Sequence, residues 1–120
     1  MSVNLPPKAQ NLLAQLQQQQ ALYENVVQQL TLYQAELNEL KRVKSELEKL
    51  PDDAEIFRNI GHVLVKTTKQ EAIKDVENKI ELLEIKLASL KKQEEMIRKE
   101  IQRLKEELNK VMGAGAIGGG

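Results

Sequence analysis

The 120-residue sequence has no cysteine and no tryptophan, and its aromatic residues are limited to one Phe and two Tyr. Without cysteine it can form no disulfide, thiolate nucleophile or sulfur-ligated metal site, which is typical of a cytoplasmic protein. With so few large aromatic side chains, a compact single-chain globule is not expected. No apolar run approaches the roughly 18 residues of a membrane span, and the polar N-terminus is unlike a signal peptide. We therefore expect a cytoplasmic protein that has no membrane partner.

The charged residues show no excess of either sign, because 18 basic and 18 acidic side chains give a formal net charge of +0. The two signs also balance in each half of the chain, and no basic block exists to neutralise phosphates. An RNA-binding helical arm would need a basic stripe along one helix, whereas the charges here alternate in sign. We therefore expect no nucleic-acid partner.

The composition is 41% hydrophobic and 30% charged residues. Such a composition indicates long helices. In residues 6–50 and again in 68–112, apolar residues recur in alternating steps of three and four. Such a repeat, sustained over about five heptads, predicts coiled-coil helices. Polar residues interrupt the repeat only at Gln19, Lys44 and Glu94, where we expect them to set the register. The apolar members are Leu12, Leu16, Tyr23, Val26, Leu30, Tyr33, Leu37, Leu40 and Leu47, and then Ile73, Val76, Ile80, Leu83, Leu87, Leu90, Ile97, Ile101, Leu104, Leu108 and Val111.

The helix boundaries carry recognisable signals. Asn4 is a suitable cap for the first helix, followed by prolines in the first turn. Pro51 ends that helix, and the two aspartates after it predict a turn. The sequence from Thr68 to Glu71 has the capping-box pattern and starts the second helix. The glycine-rich residues 113–120 end that helix and predict a flexible tail.

Between the helices, residues 55–67 predict a β-hairpin with arms near 55–59 and 63–67. Asn59 and Gly61 mark the reversal of the chain. Both faces of the arms carry apolar side chains, and an isolated two-stranded hairpin is marginal in water. We therefore predict that this hairpin pairs with other chains in a shared sheet or barrel. The predicted assembly residues are Ile56, Phe57, Ile60, Val63, Leu64 and Val65.

The two heptad rows are out of phase across the hairpin, which disfavours one continuous parallel coil. The simpler solution folds the chain back, so that Leu47 lies near Ile73 and Leu12 near Val111. The predicted fold is mainly α: an antiparallel two-helix coiled-coil hairpin, with one β-hairpin between the helices, that assembles into a shared sheet or β-barrel body. We expect residues 1–120 to form a single domain.

Apolar residues also gather where the first helix begins and the second ends. Leu13 and Met112 lie beside the heptad row, so packing between the two helices does not require them. Exposed apolar surface at such a place is typical of a binding site, although these residues can also simply cap the coil or be disordered. The predicted terminal surface, which we interpret as a protein-binding surface, comprises Leu5, Leu12, Leu13, Val111, Met112 and Ile117.

Catalytic and metal-binding patterns are weak. His62 has no second His or Cys nearby to complete a metal site, and the acidic residues Asp52, Asp53 and Glu55 follow a proline as turn residues do. The glycine tail lacks the Lys-Ser/Thr partner of a phosphate-binding loop. No nucleophile–base pair is recognisable. We therefore expect no enzyme activity, no cofactor and no metal.

The two matched heptad helices and the short hairpin linker resemble the prefoldin family, specifically its β-type subunits. The likeness is closest from Leu50 to Phe57 (Leu-Pro-Asp-Asp-Ala-Glu-Ile-Phe) and from Ile60 to Lys66 (Ile-Gly-His-Val-Leu-Val-Lys). Ala72, Glu81-Leu82 and the residues 90–94 add to it. The single short hairpin fits the β type, since α-type subunits have two hairpins in a longer linker. The composition is similar to that of archaeal members.

The resemblance implies an ATP-independent chaperone subunit in a hexamer of two α and four β subunits. It also implies that unfolded clients are held at and between the tips of coiled-coil arms and are then delivered to a group II chaperonin. The alternative from a different class is a structural coiled-coil adaptor that binds one folded partner. Suppressing the aggregation of several unrelated denatured proteins would fit the first interpretation, and one stoichiometric partner would fit the second.

Overall fold

The computed structural model describes residues 4–113, so the predicted client-binding residue Ile117 lies outside the described residues. Two long helices flank two short strands: α1 (Pro7–Glu48), β1 (Ile56–Ile60), β2 (Val63–Thr67) and α2 (Lys69–Met112). This element order confirms the predicted fold class of two helices with one β-hairpin between them. Within the described residues, neither helix is long and apolar enough to cross a membrane.

Helix α1 begins at Pro7, where the missing N–H costs nothing because that donor has no partner in a first turn. The carbonyl of Pro6 accepts the N–H of Gln10 at 3.0 Å, so Pro6 occupies the capping position that the sequence analysis gave to Asn4. The Gln10 side-chain amide also donates to the Leu5 carbonyl at 2.9 Å. Both hydrogen bonds therefore join Gln10, near the start of α1, to the two residues that precede the helix.

Helix α1 ends at Glu48, two residues before the predicted end at residue 50. The N–H groups of Lys49 and Leu50 donate to carbonyls three residues back, at 3.2 and 3.1 Å, which tightens the last turn. Pro51 then disfavours helical geometry at Leu50. A turn follows, in which the Ala54 N–H donates to the Pro51 carbonyl at 3.1 Å.

The strands form an antiparallel hairpin in the register Ile56↔Thr67, Arg58↔Val65 and Ile60↔Val63. Gly61 has a φ of 61°, whereas His62 keeps a negative φ, which is the pattern of a two-residue type II′ hairpin turn. Asn59, predicted to lie at the reversal, is instead a strand residue opposite Leu64. The turn is made by Gly61 and His62, because glycine accepts the positive φ without strain.

Helix α2 begins at Lys69 with half of the predicted capping box. The Thr68 hydroxyl accepts the N–H of Glu71 at 3.1 Å, as an N-cap side chain does. The Glu71 carboxylate does not complete the reciprocal bond in the expected way, since it accepts the Thr67 hydroxyl at 3.0 Å. That bond joins the end of β2 to the first turn of α2.

The chain divides into two compact units. Unit 1 combines the segment up to Gln29 with the segment from Leu90 onward, and unit 2 is Leu30–Ser89. In unit 1, Leu12, Leu16 and Leu104 form a buried cluster, and Leu104 is only 1% exposed. Ile101, Leu108 and Val111 pack against this cluster.

Unit 2 has its own helix–helix core, in which Leu37 of α1 packs with Ile80, Leu83 and Leu87 of α2. Leu30, Tyr33, Leu40 and Val76 surround this core and are partly buried. The ammonium of Lys86 lies 4.3 Å from the centre of the Tyr33 ring, a cation–π contact at the edge of the core. In each unit the contacts between α1 and α2 follow the antiparallel order that the heptad rows predict.

Candidate functional site

The hairpin of unit 2 exposes apolar side chains on both faces. Cross-strand partners share a face, so Ile60 lies beside Val63 on one face while Phe57 and Leu64 belong to the other. Five side chains of the predicted assembly set remain about half exposed or more, namely Phe57 (54%), Ile60 (51%), Val63 (59%), Leu64 (67%) and Val65 (43%). We call these five, together with the half-buried Ile56, the hairpin surface. One chain does not cover either face fully.

A groove of about 590 Å³ lies beside the hairpin, within unit 2. Its apolar wall combines Ile56 and Ile60 of β1 with Val43 and Leu47 of α1 and Val76 of α2. The apolar lining is therefore continuous from the hairpin surface onto the helices. Charged side chains, among them Arg58 and Asp75, line the rest of the groove, so it combines an apolar wall with a polar one.

An ion pair anchors one strand of the hairpin to α2. The Arg58 guanidinium donates to the Asp75 carboxylate at 2.8 Å, and both side chains are about half exposed. A second, longer pair of 3.4 Å joins the exposed side chains of Lys66, on β2, and Glu55, in the loop before β1. Exposed pairs of this kind contribute little to the free energy of folding.

The predicted terminal surface lies in unit 1, and the structure divides it into two kinds of residue. Leu12 is only 8% exposed and belongs to the core cluster, against which Val111 packs. Leu5, Leu13 and Met112 are partly exposed. Val111 is partly exposed as well. A partner can therefore reach every described member of the terminal surface except Leu12.

The most exposed apolar side chains of unit 1 were not found by the heptad analysis. They are Met96 on α2, which is 70% exposed, and Leu22 on α1, which is 47% exposed. Neither falls in the heptad row, so the pattern gave no signal for its exposure. Leu32, Leu82 and Ile85 are the corresponding residues of unit 2, at 69%, 68% and 62% exposed.

The polar residues inside the heptad rows make specific contacts. In unit 1 the Tyr23 hydroxyl donates to the Glu94 carboxylate at 3.1 Å, and Arg98 pairs with the same carboxylate at 3.4 Å. The hydrogen bond to Glu94 is the main cause that raises the pKa of the Tyr23 phenol. In unit 2, Lys44 reaches Glu77 at 3.5 Å. Pairs that join the two helices at one level favour one register.

The remaining charged residues follow ordinary helix patterns. Arg42 lowers the pKa of Glu39, and Arg103 lowers the pKa of Glu100, each through a hydrogen bond between residues three apart. Across residues 4–113 no group of three or more His, Cys, Asp or Glu side chains is placed to hold a metal ion. The arrangement is therefore suited to binding through apolar contact.

Comparison with known proteins gives a consistent result. Residues 10–115 match the family model described as prefoldin subunit. The prefoldin subunit beta of Pyrobaculum calidifontis is 39% identical over 106 residues, which cover 88% of this chain and 85% of that protein. The same subunit of Methanosarcina acetivorans is 36% identical over 113 residues, covering 94% of this chain and 97% of its relative.

Solved structures agree with these sequence matches. The crystal structure of the prefoldin beta subunit from Thermococcus strain KS-1 superposes with a TM-score of 0.85 at 39% identity, covering 88% of this chain and 93% of that one. The beta2 subunit of the same strain gives a TM-score of 0.53 at 26% identity, covering 80% and 95%. The match with the family model and the similarity to beta subunits over most of their length show that the chain belongs to the prefoldin family of chaperone subunits.

Proposed function

We propose that the chain is a subunit of an ATP-independent holdase, which captures unfolded proteins and delivers them to a group II chaperonin. The observation that carries the proposal is the accessible apolar surface in both units of a chain from a chaperone-subunit family. Exposed apolar patches of soluble proteins are typical of protein-binding sites. In this proposal the hairpin surface serves assembly and the terminal surface serves client capture.

Assembly is the role of the hairpin surface. Prefoldin beta subunits form heteromeric complexes with other prefoldin subunits. We infer an α-type partner and a cytoplasmic hexamer of two α and four β subunits, with the hairpins closing into β-barrels. An exposed two-stranded hairpin supports this inference, because strands from other chains would stabilise it by covering its apolar faces and pairing its edges.

Client capture is the role of the terminal surface. Leu5, Leu13 and Met112 offer a few partly exposed apolar side chains, and Met adapts well to irregular partners. A fully buried Leu or Met side chain contributes roughly 1.5–3 kcal/mol. One subunit therefore binds an unfolded protein weakly, whereas several subunits acting on one client bind it tightly and still release it piecemeal. No nucleotide or metal is required by this mechanism, and no bond is made or broken.

The experiment compares polar substitutions on and off the terminal surface. The test variant is Leu13→Ser with Met112→Ser, and the matched control is Leu22→Ser with Met96→Ser. Both replace one Leu of α1 and one Met of α2 within unit 1, and the control residues are at least as exposed. Each variant is assembled with an α-type subunit, and light scattering then follows the aggregation of several unrelated denatured proteins.

The test variant is expected to lose most of its protection while helicity and subunit stoichiometry stay unchanged, and the control is expected to protect like the parent. Equal protection by both variants would place client binding elsewhere on the chain. A loss confined to one folded partner, with general protection intact, would favour the structural adaptor. Transfer to a group II chaperonin is measured separately, as chaperonin-dependent recovery of a client that the assembly has captured.

A further inference from the structure

The ammonium group of Lys69 lies at the junction between the two helices of unit 2. It donates to the carbonyls of Leu50 at 2.8 Å and Glu48 at 3.1 Å, and lies 3.5 Å from the Asp52 carboxylate. The Lys69 side chain is only 16% exposed, whereas that of Asp52 is 95% exposed. The two backbone carbonyls are therefore its principal partners, and the carboxylate is a minor one.

The first residue of a helix is an electrostatically unfavourable position for a lysine. Lys69 is the first residue of α2, where the unpaired N–H groups carry partial positive charge and an acidic residue is preferred. Within α1 as described, the last turn has no basic residue to balance the partial negative charge of its carbonyls. Lys69 supplies that cation from the start of the other helix.

Side-chain contacts attach both strands of the hairpin, and the loop that precedes it, to the helices. Lys69 closes the loop that leads from α1 to β1, because its three partners lie at the end of α1 and in that loop. Arg58 holds β1 against Asp75 of α2 at 2.8 Å. The bond from the Thr67 hydroxyl to Glu71 holds the end of β2. The Lys69 side chain is 16% exposed, against 55% for Arg58 and 39% for Asp75, so solvent screens its bonds to the carbonyls less than it screens the Arg58 pair.

We propose that Lys69 is a positioning residue, whose ammonium joins the C-terminal carbonyls of α1 to the start of α2 and thereby fixes the hairpin in one orientation. A hairpin held in its assembled orientation loses less conformational freedom on association, which favours assembly. This consequence for assembly rests on the proposed function, but the fixing of the hairpin does not.

The experiment measures amide hydrogen exchange of the purified full-length chain by mass spectrometry at short labelling times. Lys69→Met keeps most of the apolar stem and removes the charge, and Lys69→Gln is a second variant that keeps a weaker donor. The matched control is Lys49→Met in the same junction, where Lys49 is 69% exposed and pairs with Glu46 at 3.4 Å. Asp52→Asn tests the carboxylate separately.

Loss of two hydrogen bonds from a charged donor is expected to speed exchange in residues 56–67 by about tenfold or more in Lys69→Met. Lys69→Gln is expected to show a smaller increase in the same segment. The core peptide around Leu83 and Leu87 is expected to exchange as in the parent, and Lys49→Met and Asp52→Asn are expected to change little. Unchanged exchange in residues 56–67 of both Lys69 variants would overturn the proposal. So would an Asp52→Asn effect as large as that of Lys69→Met, because the junction would then rest on a simple ion pair.

Native mass spectrometry of the same variants with an α-type subunit tests the positioning role of Lys69 and the assembly role of the hairpin surface separately. A loosened hairpin with weakened assembly supports both the positioning role and the assembly role. The variants can instead show a loosened hairpin and still assemble at the same subunit concentration as the parent. That result would support the positioning role of Lys69 and would count against the hairpin surface as the assembly element.

Discussion

The assembly role of the hairpin can be tested with a pair of leucines that differ in little except location. Leu64 on β2 is 67% exposed and Leu82 on α2 is 68% exposed, and both belong to unit 2. The substitutions are Leu64→Asp and Leu82→Asp, each made singly in the full chain. If the hairpin surface is the assembly element, the first substitution prevents assembly and the second does not.

The expected magnitude follows from the exposed fractions. Full burial of a Leu contributes roughly 1.5–3 kcal/mol, so covering the exposed two-thirds of Leu64 contributes about 1–2 kcal/mol per subunit. An aspartate at that place loses this contribution and must also be desolvated, which costs several kcal/mol more for an unpaired charge. Over the four β subunits of the proposed hexamer the penalty is repeated at each hairpin. Leu82→Asp costs only the lower helix propensity of Asp, about 0.5 kcal/mol.

The assay is native mass spectrometry together with sedimentation, performed with an α-type subunit over a range of concentrations. Circular dichroism of each variant alone checks that the helices persist. We expect Leu64→Asp to leave free helical subunits and Leu82→Asp to assemble like the parent. A hexamer unchanged by Leu64→Asp would refute the assembly role of the hairpin, and equal disruption by both variants would show that apolar exposure in general, rather than the hairpin, drives association.

Three further predictions concern individual features. Gly61→Ala should destabilise the hairpin by roughly 1 kcal/mol, seen as faster amide exchange in residues 56–67, because an alanine at φ 61° is strained; unchanged exchange would contradict the turn assignment. Because the bond to Glu94 raises the folded-state pKa of Tyr23, the stability it contributes is complete below the unfolded value of about 10 and is lost as pH rises through the raised value. Alkaline thermal melts should show that loss in the parent and less of it in Tyr23→Phe, and identical profiles would count against the bond. Finally, chelator treatment and nucleotide removal should leave aggregation suppression intact, and strict dependence on either would contradict the proposed mechanism.

The sequence was sufficient for the fold because two strong periodicities were present. Alternating steps of three and four fixed the faces of both helices, and the packing of Leu37 with Ile80 and Leu83 follows the antiparallel order they predict. The period of two in the hairpin likewise placed Phe57 and Ile60 on opposite faces, as the register confirms. Patterns of this kind extend over many residues, so single exceptions such as Gln19 do not disturb them.

Features that depend on which residues meet in space could not be predicted from the sequence. The capping role of Pro6 and the early end of α1 were decided by local backbone bonds of a few residues. The exposure of Met96 carried no periodic signal. Lys69 gave no signal of its own inside the capping-box sequence, since nothing near it in the chain indicated that α1 would bring its carbonyls within reach. The assembly and client-binding surfaces remain predictions that the variants above test.

A hairpin with apolar side chains on both faces also has a consequence for the amount of this protein that persists in a cell. In the proposed assembly, other chains cover strands that are exposed in the single chain. The subunit would then draw part of its stability from mass action and become less stable as its partner becomes scarce. Surplus copies then present bare strand edges beside apolar side chains, the combination most prone to pairing with the wrong chain. We expect unpartnered copies to be degraded faster than assembled ones, so that the supply of the partner sets the amount of this chain that persists.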